Sequence, residues 1–382
     1  MKILHCITGL DVGGAETMLY RLATRMDMVR FQSRVVSLID PGPMGKQLVD
    51  AGIRVDSLGM SRGVPSLPGL MKLVRIIRSW RPDVVQTWLY HADLAGLIAT
   101  RLAFPLGGGP KVAWNIRCSY MALDEYRTLT GTTLKVCAAL SRFPDVVLSN
   151  SEEARRFHRQ LGYKPKLFEV IPNGFDTNRF RPDSEARRDV RNEFSIALDA
   201  PVIGHVARFD VMKDHRTFVS ALAKVAELVP DSVFMLVGRG VDSGNARLVS
   251  WFDEAGIAPS RFRLLGERQD SERVMAAMDV HVSSSIGESF PNVVGESMAC
   301  GVPNVVTDVG DSSLVVGDTG VVVAPQNALV LGGAIGVLWQ KRLENIKKTS
   351  DDARNRVMER FSLPRMVASF SELYQGLSRE VL

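Results

Sequence analysis

Cysteine is scarce. The 382 residues hold four, Cys6, Cys118, Cys137 and Cys300, with no C-x-x-C spacing among them. That scatter argues against a disulfide framework or a zinc site and predicts buried free thiols in a reducing compartment. Metal-binding motifs are missing too: there is no H-E-x-x-H, and the six histidines are dispersed. No metal or other cofactor is therefore expected. Long apolar runs are absent, none approaching the ~20 residues that a membrane span needs. The opening Met1-Lys2-Ile3-Leu4-His5-Cys6-Ile7-Thr8 reads as a first strand, since a signal peptide needs a longer apolar stretch and a cleavage site. Low-complexity tracts are lacking as well. What remains, 46% apolar and 23% charged, is ordinary for a soluble globular protein, and the length suits two domains. A cytoplasmic protein is the expectation, with possible peripheral contact at the inner face of the cell membrane.

Charge is unevenly spread. Residues 1–172 carry 23 Lys and Arg against 14 Asp and Glu, a balance of +9, whereas the other 210 carry 24 against 28, a balance of −4. A basic first half points to an anionic partner on that side: a phospholipid surface, a lipid-linked diphosphate or nucleic acid. A merely solvated basic face is the plainer account. Nucleic acid is not expected, because no recognition motif or stacking array of aromatic residues accompanies the charge.

Hydrophobic periodicity gives a coarse map. Strands fit 2–8, 33–39, 83–88, 111–117 and 145–150; helices fit 14–26, 67–80, 91–103, 128–141 and 151–161. After Ile171-Pro172-Asn173-Gly174 and a polar stretch to about residue 200, the alternation restarts. Strands then fit 201–207, 232–238, 261–266, 280–285, 304–307 and 321–324, with a helix over 214–229. Repeated β–α alternation predicts parallel sheets covered by helices, and the restart predicts two of them. The expected architecture is α/β, two Rossmann-like domains: 1–172 plus 366–382, and 173–365. The helical stretch 351–382 has no strand left to cover, so it should cross back to the first domain.

The chemistry concentrates in residues 287–301, Gly-Glu-Ser-Phe-Pro-Asn-Val-Val-Gly-Glu-Ser-Met-Ala-Cys-Gly. Glu288 and Glu296 stand eight apart across a loop-to-helix junction. Pro291 suits a helix's first turn, and the N–H groups of 292–295 would favour an anion such as phosphate. A carboxylate beside a phosphate repels it, so both glutamates are better read as acceptors for sugar hydroxyls. Arg208 and Lys213 follow the strand ending near Ala207. Such a pair can hold a diphosphate, Arg by a planar fork and Lys as a point charge; it could equally be a surface ion pair with Asp210 or Asp214. Gly13 and Gly14, after the first strand, do not match G-x-G-x-x-G but still permit close backbone approach to a ligand.

These segments, with Ile171-Pro172-Asn173-Gly174-Phe175-Asp176, Val237-Gly238-Arg239-Gly240 and Leu265-Gly266-Glu267-Arg268, occur in one order along the chain. In that order they resemble the GT-B glycosyltransferases of family 4, retaining and metal-independent. The resemblance implies a catalytic set of Arg208, Lys213 and Glu288. It places the nucleotide-sugar donor against Gly13, Gly14, Gly238, Gly266, Arg268, Phe290, Pro291, Asn292, Val293 and Glu296. The cations and helix amides would neutralise the leaving diphosphate, Glu288 would hold sugar hydroxyls and Glu296 the ribose. One departure stands out. Where many relatives have a sugar-contacting His, this chain reads Asn115-Ile116-Arg117-Cys118-Ser119, so Arg117 takes its place. Either Arg117 binds phosphate or an acidic substrate, or another residue such as His91 contacts the sugar.

The helix over Leu70–Trp80 sets Lys72, Arg75 and Arg78 on one arc against an apolar face. It is either a sheet-covering helix with a solvated basic side or a contact for anionic lipid. Residues 104–110 and 118–142 are candidate mobile acceptor loops. The expected activity is transfer of a sugar, with retained configuration, from a nucleotide diphosphate donor, UDP foremost. The acceptor is a saccharide, expected to be polyprenyl-diphosphate-linked, in surface polysaccharide or lipopolysaccharide synthesis. The alternatives are a nucleotide-sugar epimerase or hydrolase on the same scaffold, and a non-catalytic nucleotide-sugar sensor.

Overall fold

A computed structural model describes the chain apart from residues 12, 62–63, 65, 120–127 and 380–382. The chain divides into two compact units, Met1–Gly174 with Leu363–Leu382, and Phe175–Ser362. It passes between them a few residues away from the expected 172/173 and 365/366.

The first unit is built on β1 (Lys2–Ile7), β2 (Gln32–Ser37), β3 (Arg54–Ser57), β4 (Val84–Trp88), β5 (Lys111–Ile116), β6 (Val146–Ser149) and β7 (Phe168–Val170). Between them run α1 (Gly14–Arg25), α2 (Gly42–Asp50), α3 (Leu67–Trp80), α4 (Tyr90–Ala103), α5 (Thr128–Leu140) and α6 (Glu152–Gln160). Every pairing is parallel, in the order β3-β2-β1-β4-β5-β6-β7. Central strands are buried on both faces, which is why they read as continuous β-branched runs.

The second unit starts with α7 (Ser184–Glu193) and continues β8 (Val202–Val206), α8 (His215–Leu228), β9 (Val233–Val237), α9 (Ala246–Glu254), β10 (Phe262–Leu264) and α10 (Ser271–Ala276). It then runs β11 (Val280–Ser283), α11 (Asn292–Ala299), β12 (Asn304–Thr307), α12 (Ser312–Val316), β13 (Val321–Val323), α13 (Ala328–Glu344) and α14 (Ile346–Arg360). Its parallel sheet has the order β10-β9-β8-β11-β12-β13. The strand order reverses at β1/β4 in one sheet and at β8/β11 in the other. Crevices beyond the C-terminal strand ends at such reversals are where open α/β sheets bind ligands.

The terminal stretch is two helices, not one: α14 stays with the second unit and α15 (Leu363–Arg379) belongs to the first. There Phe370 stacks on Trp88, and the Tyr374 hydroxyl donates to Gln86 Oε1 at 2.5 Å. In the second unit, Asp279 lies beneath the sheet among Arg187, Arg191 and Arg342, and accepts from the Val202 amide. Burial pushes the Asp279 carboxyl upward, but the three guanidinium groups and that amide outweigh it and hold the acid below its usual range. The polar stretch before residue 200 contains a helix after all. In α7 the buried residues are Ala186, Val190 and the whole of Arg191, whose guanidinium pairs with Asp279, too thin an apolar pattern for periodicity to register. Asp183 caps it, accepting from the Ala186 amide at 2.8 Å.

Candidate active site

The reversal between β8 and β11 brings the predicted cation and carboxylate together. Beyond β8 the chain makes a short 3-10 turn, Val211–Lys213, capped by Asp210, which accepts from the Met212 amide at 2.9 Å. Beyond β11 it forms the loop carrying Glu288. The Lys213 ammonium contacts Glu288 Oε1 directly, and the Ser285 hydroxyl donates to the same oxygen at 2.8 Å. The pair is largely screened from solvent, with side-chain exposures of 20% for Lys213 and 12% for Glu288.

Both loops are fixed by neighbours. The buried Ser284 hydroxyl donates to the carbonyls of Lys213 (2.9 Å) and Asp214 (3.1 Å), and the Ile286 amide donates to the Met212 carbonyl at 2.9 Å. Asp214 adopts a left-handed conformation (φ 45°) and caps α8 through the Thr217 amide. Thr307, ending β12, donates to the Ser285 carbonyl at 2.6 Å. Gly310, at φ 55°, lies against the Glu288 and Ser289 carbonyls, where any Cβ would collide. The Asp311 amide closes the same contact on the Ser289 carbonyl at 3.0 Å.

Helix α11 opens beside this loop. Pro291 is its cap residue, one place outside the expected first turn. The Gly295 amide bonds back to the Pro291 carbonyl, so the amides lacking an intrahelical acceptor are those of 292–294 and not 295. Phe290 is not a ligand-facing side chain: it is buried, stacked on Phe175 and edge-on to Phe361, so only its backbone is available to a donor. Glu296 is half-buried on the second turn of α11.

Arg208 follows a different course from Lys213. Its side chain is 56% exposed and its guanidinium pairs with Asp210 at 3.0 Å, the surface pairing that the spacing allowed. The Asp210 carboxyl, pushed up by burial but pulled down more by the Met212 amide and Arg208, stays below its ordinary range. Gly238 packs its backbone on Ala207 and Arg208, leaving no room for a Cβ, and its amide donates to the Gly266 carbonyl at 2.9 Å. Arg268 is held by Asp270 (2.8 Å) and Glu193 (2.6 Å), which raise its affinity for the proton. Its side chain is thus turned back toward α7.

In the first unit, Gly13 caps α1 and Gly14 begins it; a Cβ at Gly13 would strike the Glu16 carboxylate. His91 is half-buried just after β4, and burial lowers its pKa. Arg117, just after β5, donates to Asn173 Oδ1 at 2.5 Å and sits 5.3 Å above the Trp88 ring. Burial pulls its pKa down to about 9 against the opposing charge of Glu16, so it is a cation at neutral pH. Below His91, the wholly buried Asp93 accepts from the Thr87 hydroxyl; burial lifts its carboxyl to about 7 against that bond and the Asn115 amide.

Other expectations are corrected. Residues 104–110 enter β5, so they lie at the edge of the sheet opposite the ligand-binding ends, because all its strands are parallel. The proposed loop 118–142 is helical from Thr128, and its residues 120–127 lie outside the described part. The basic arc of α3, Lys72, Arg75 and Arg78, is exposed, as the plainer account expected, and two of its residues also bond to neighbouring carbonyls. Lys72 donates to the Ser57 carbonyl, and Arg78 donates to those of Leu102 and Ala103, tying α3 to its neighbours. Among the described residues, no helix is long and apolar enough to cross a membrane. Sequence reasoning overlooked Ser284, Ser285 and Gly310. Their signals were the serine run extending a buried strand and a Gly in the Asp308-Val309-Gly310-Asp311 turn.

Residues 12–179 match the family described as Glycosyltransferase Family 4, and residues 200–341 match Glycosyl transferases group 1. The chain is 28% identical over 324 residues to EpsF of Bacillus subtilis, covering 80% of this chain and 79% of that protein. It is 24% identical over 318 residues to the UDP-Gal:alpha-D-GlcNAc-diphosphoundecaprenol alpha-1,3-galactosyltransferase of Escherichia coli, covering 81% and 80%. Its fold superposes on the crystal structure of Anabaena HepE in complex with UDP with a TM-score of 0.82, at 24% identity over 98% of this chain and 100% of that one. Two matched families that between them cover every strand of both sheets except β1, and a shared two-sheet architecture, lead to one assignment: the chain belongs to the GT-B glycosyltransferases of group 1, family 4.

Proposed function

We propose that the protein transfers a sugar from a UDP-sugar to a lipid-linked saccharide acceptor, with retention of configuration and without a metal. The observation that carries this reading is the Lys213–Glu288 contact at the β8/β11 reversal, beside the amides that open α11. A cation and helix amides suit a departing diphosphate; a carboxylate within reach of them suits the sugar's hydroxyls. In this reaction the C1–O bond to phosphate breaks and the diphosphate keeps the electron pair. The acceptor hydroxyl bonds to C1 on the same face and gives its proton to the departing phosphate oxygen. Lys213 and the 292–294 amides stabilise the growing charge, with Arg208 as the second cation once it exchanges Asp210 for phosphate. The UDP bound to Anabaena HepE and the donor and acceptor in the E. coli relative's name support the substrate classes.

The test is a thermal-shift panel of nucleotide sugars, since the true donor raises the melting temperature by mass action. Transfer to an isoprenoid-diphosphate-linked sugar follows, with EDTA present and the product anomer read by NMR. Retained configuration and undiminished turnover in EDTA are expected. A panel in which no nucleotide stabilises the protein refutes the reading.

A further inference from the structure

Between the two cations proposed for the leaving diphosphate stands a carboxylate that the reaction itself does not use. Asp210 lies between Arg208 and Lys213 in the chain, and its two oxygens are divided between them. Oδ1 accepts from the Met212 amide at 2.9 Å and so caps the 3-10 turn that ends in Lys213. Oδ2 accepts from Arg208 Nε at 3.0 Å.

The turn gives the first bond its purpose. Its exit is fastened by the Ser284 hydroxyl and the Ile286 amide, which reach the carbonyls of Lys213, Asp214 and Met212. Its entry is fastened through Asp210, by the side-chain cap and by the Asp210 carbonyl, which accepts from the Lys213 amide at 3.0 Å. Val211, the first residue of the turn, is 80% exposed and adds little packing.

The second bond has a different character. It uses one N–H of the guanidinium, on a side chain more than half exposed, and pairs of that kind contribute little to stability and exchange readily. A cap does not require charge, since Asn and Ser serve about as well as Asp. The negative charge is what strengthens the bond from Arg208. One carboxylate thus has two separable tasks: an oxygen under the turn that carries Lys213, and a counter-charge for Arg208.

We infer that Asp210 is a positioning residue for both cations: it sets the turn that aims Lys213, and it retains Arg208 beside the site until a diphosphate takes its place. The inference rests on the transferase reading above and adds to it a residue outside the catalytic and donor-binding set.

The test is calorimetric titration of UDP into the full chain, with steady-state transfer alongside, for wild type, Asp210→Asn, Asp210→Ser and Asp210→Ala. Asn and Ser keep an oxygen for the Met212 amide but lose the charge, so Arg208 is released and UDP should bind about threefold tighter than to wild type. Ala loses the cap as well, and its kcat should fall about tenfold below that of either capped variant. In an Arg208→Gln background, Asp210→Asn should change UDP affinity by less than roughly twofold, because no guanidinium is left to release. Weaker UDP binding to Asp210→Asn overturns the inference, since the carboxylate would then orient Arg208 and not retain it. Tightening of the same size in the Arg208→Gln background also overturns it, being plain repulsion between carboxylate and diphosphate. So does an Asp210→Ala protein that turns over as fast as Asp210→Asn, because the turn would then not need its cap. In all three cases wild type still binds UDP and the donor reading stands; a wild type that binds no UDP removes the transferase reading, and this inference with it.

Discussion

Replacing Lys213 with Met separates a catalytic cation from a structural one. Met keeps much of the side chain's volume and removes only the charge. In the resting protein the substitution leaves the Glu288 carboxylate with the Ser285 hydroxyl as its remaining named donor at Oε1. With both side chains largely but not wholly screened, that loss should cost about 1–2 kcal/mol of stability. For a unit of this size the melting temperature then falls by a few degrees. The effect on turnover is of another order. If Lys213 faces the leaving diphosphate in the transition state, its removal costs about 3 kcal/mol of barrier, on the scale of losing one oxyanion donor, or roughly a hundredfold in kcat.

The assay is steady-state transfer in EDTA with the donor found by thermal shift, alongside UDP affinity. Charge stabilisation that grows along the reaction should lower kcat more than UDP binding. A double-mutant cycle with Glu288→Gln then reports whether the two residues act together. A Lys213→Met protein that melts a few degrees lower but turns over within threefold of wild type refutes the reasoning. The contact would then be a loop fastening and nothing more.

Ser284→Ala should lower kcat about tenfold, a loss of ~1.4 kcal/mol, by leaving the Lys213 and Asp214 carbonyls without their donor. Ser284→Thr should restore it, while UDP affinity changes little in either variant. Gly310→Ala should destabilise the protein by ~2 kcal/mol or more, read as a lowered urea midpoint, because the positive φ and the Glu288 carbonyl both oppose a Cβ. Acid should unfold the protein early. Burial holds His158, His215 and His281 at about 4, below the ordinary 6.5, so the unfolded state binds more protons between those values. The histidines' contribution is full above pH 6.5, is lost as pH drops toward 4 and is constant below it; Asp93, lifted to about 7, opposes it over that range but is one group against three. A melting temperature flat from pH 6.5 to 4.5 contradicts this.

The parallel sheets were legible because strands buried on both faces must be written in β-branched residues, and because the alternation visibly restarted after residue 200. Short elements were not. β7 has three residues and β3 is only half-buried, so neither presents a run or an alternation. At the site, Lys213 and Glu288 could be read because an Arg-x4-Lys after one strand and a Glu-x7-Glu after another are chemically unusual there. The fates of the other charges could not. Arg208, Arg268 and Lys213 look alike in sequence, yet one pairs locally with Asp210, one is drawn to Glu193 and Asp270, and one meets Glu288. Those partners are fixed by which loops the strand order makes neighbours, information that spacing along the chain does not hold.

That distinction bears on how the resting site is kept ready. Unpaired, a screened ammonium and a screened carboxylate would each carry a desolvation cost, and the loops bearing them would relax outward to water. Paired, each holds the other's loop in place, while Ser284, Thr307 and Gly310 fix the backbones from outside the contact. On the proposed reading, a donor entering between them would give Lys213 a phosphate in place of Glu288, and Glu288 sugar hydroxyls in place of Lys213. Both charges would then exchange one partner for another, leaving neither stranded and little reorganisation for the chemical step. Under that proposal the two residues must be neighbours before any substrate is present, because positions set by the protein alone would let the charge developing on a leaving diphosphate meet its counter-charge without delay.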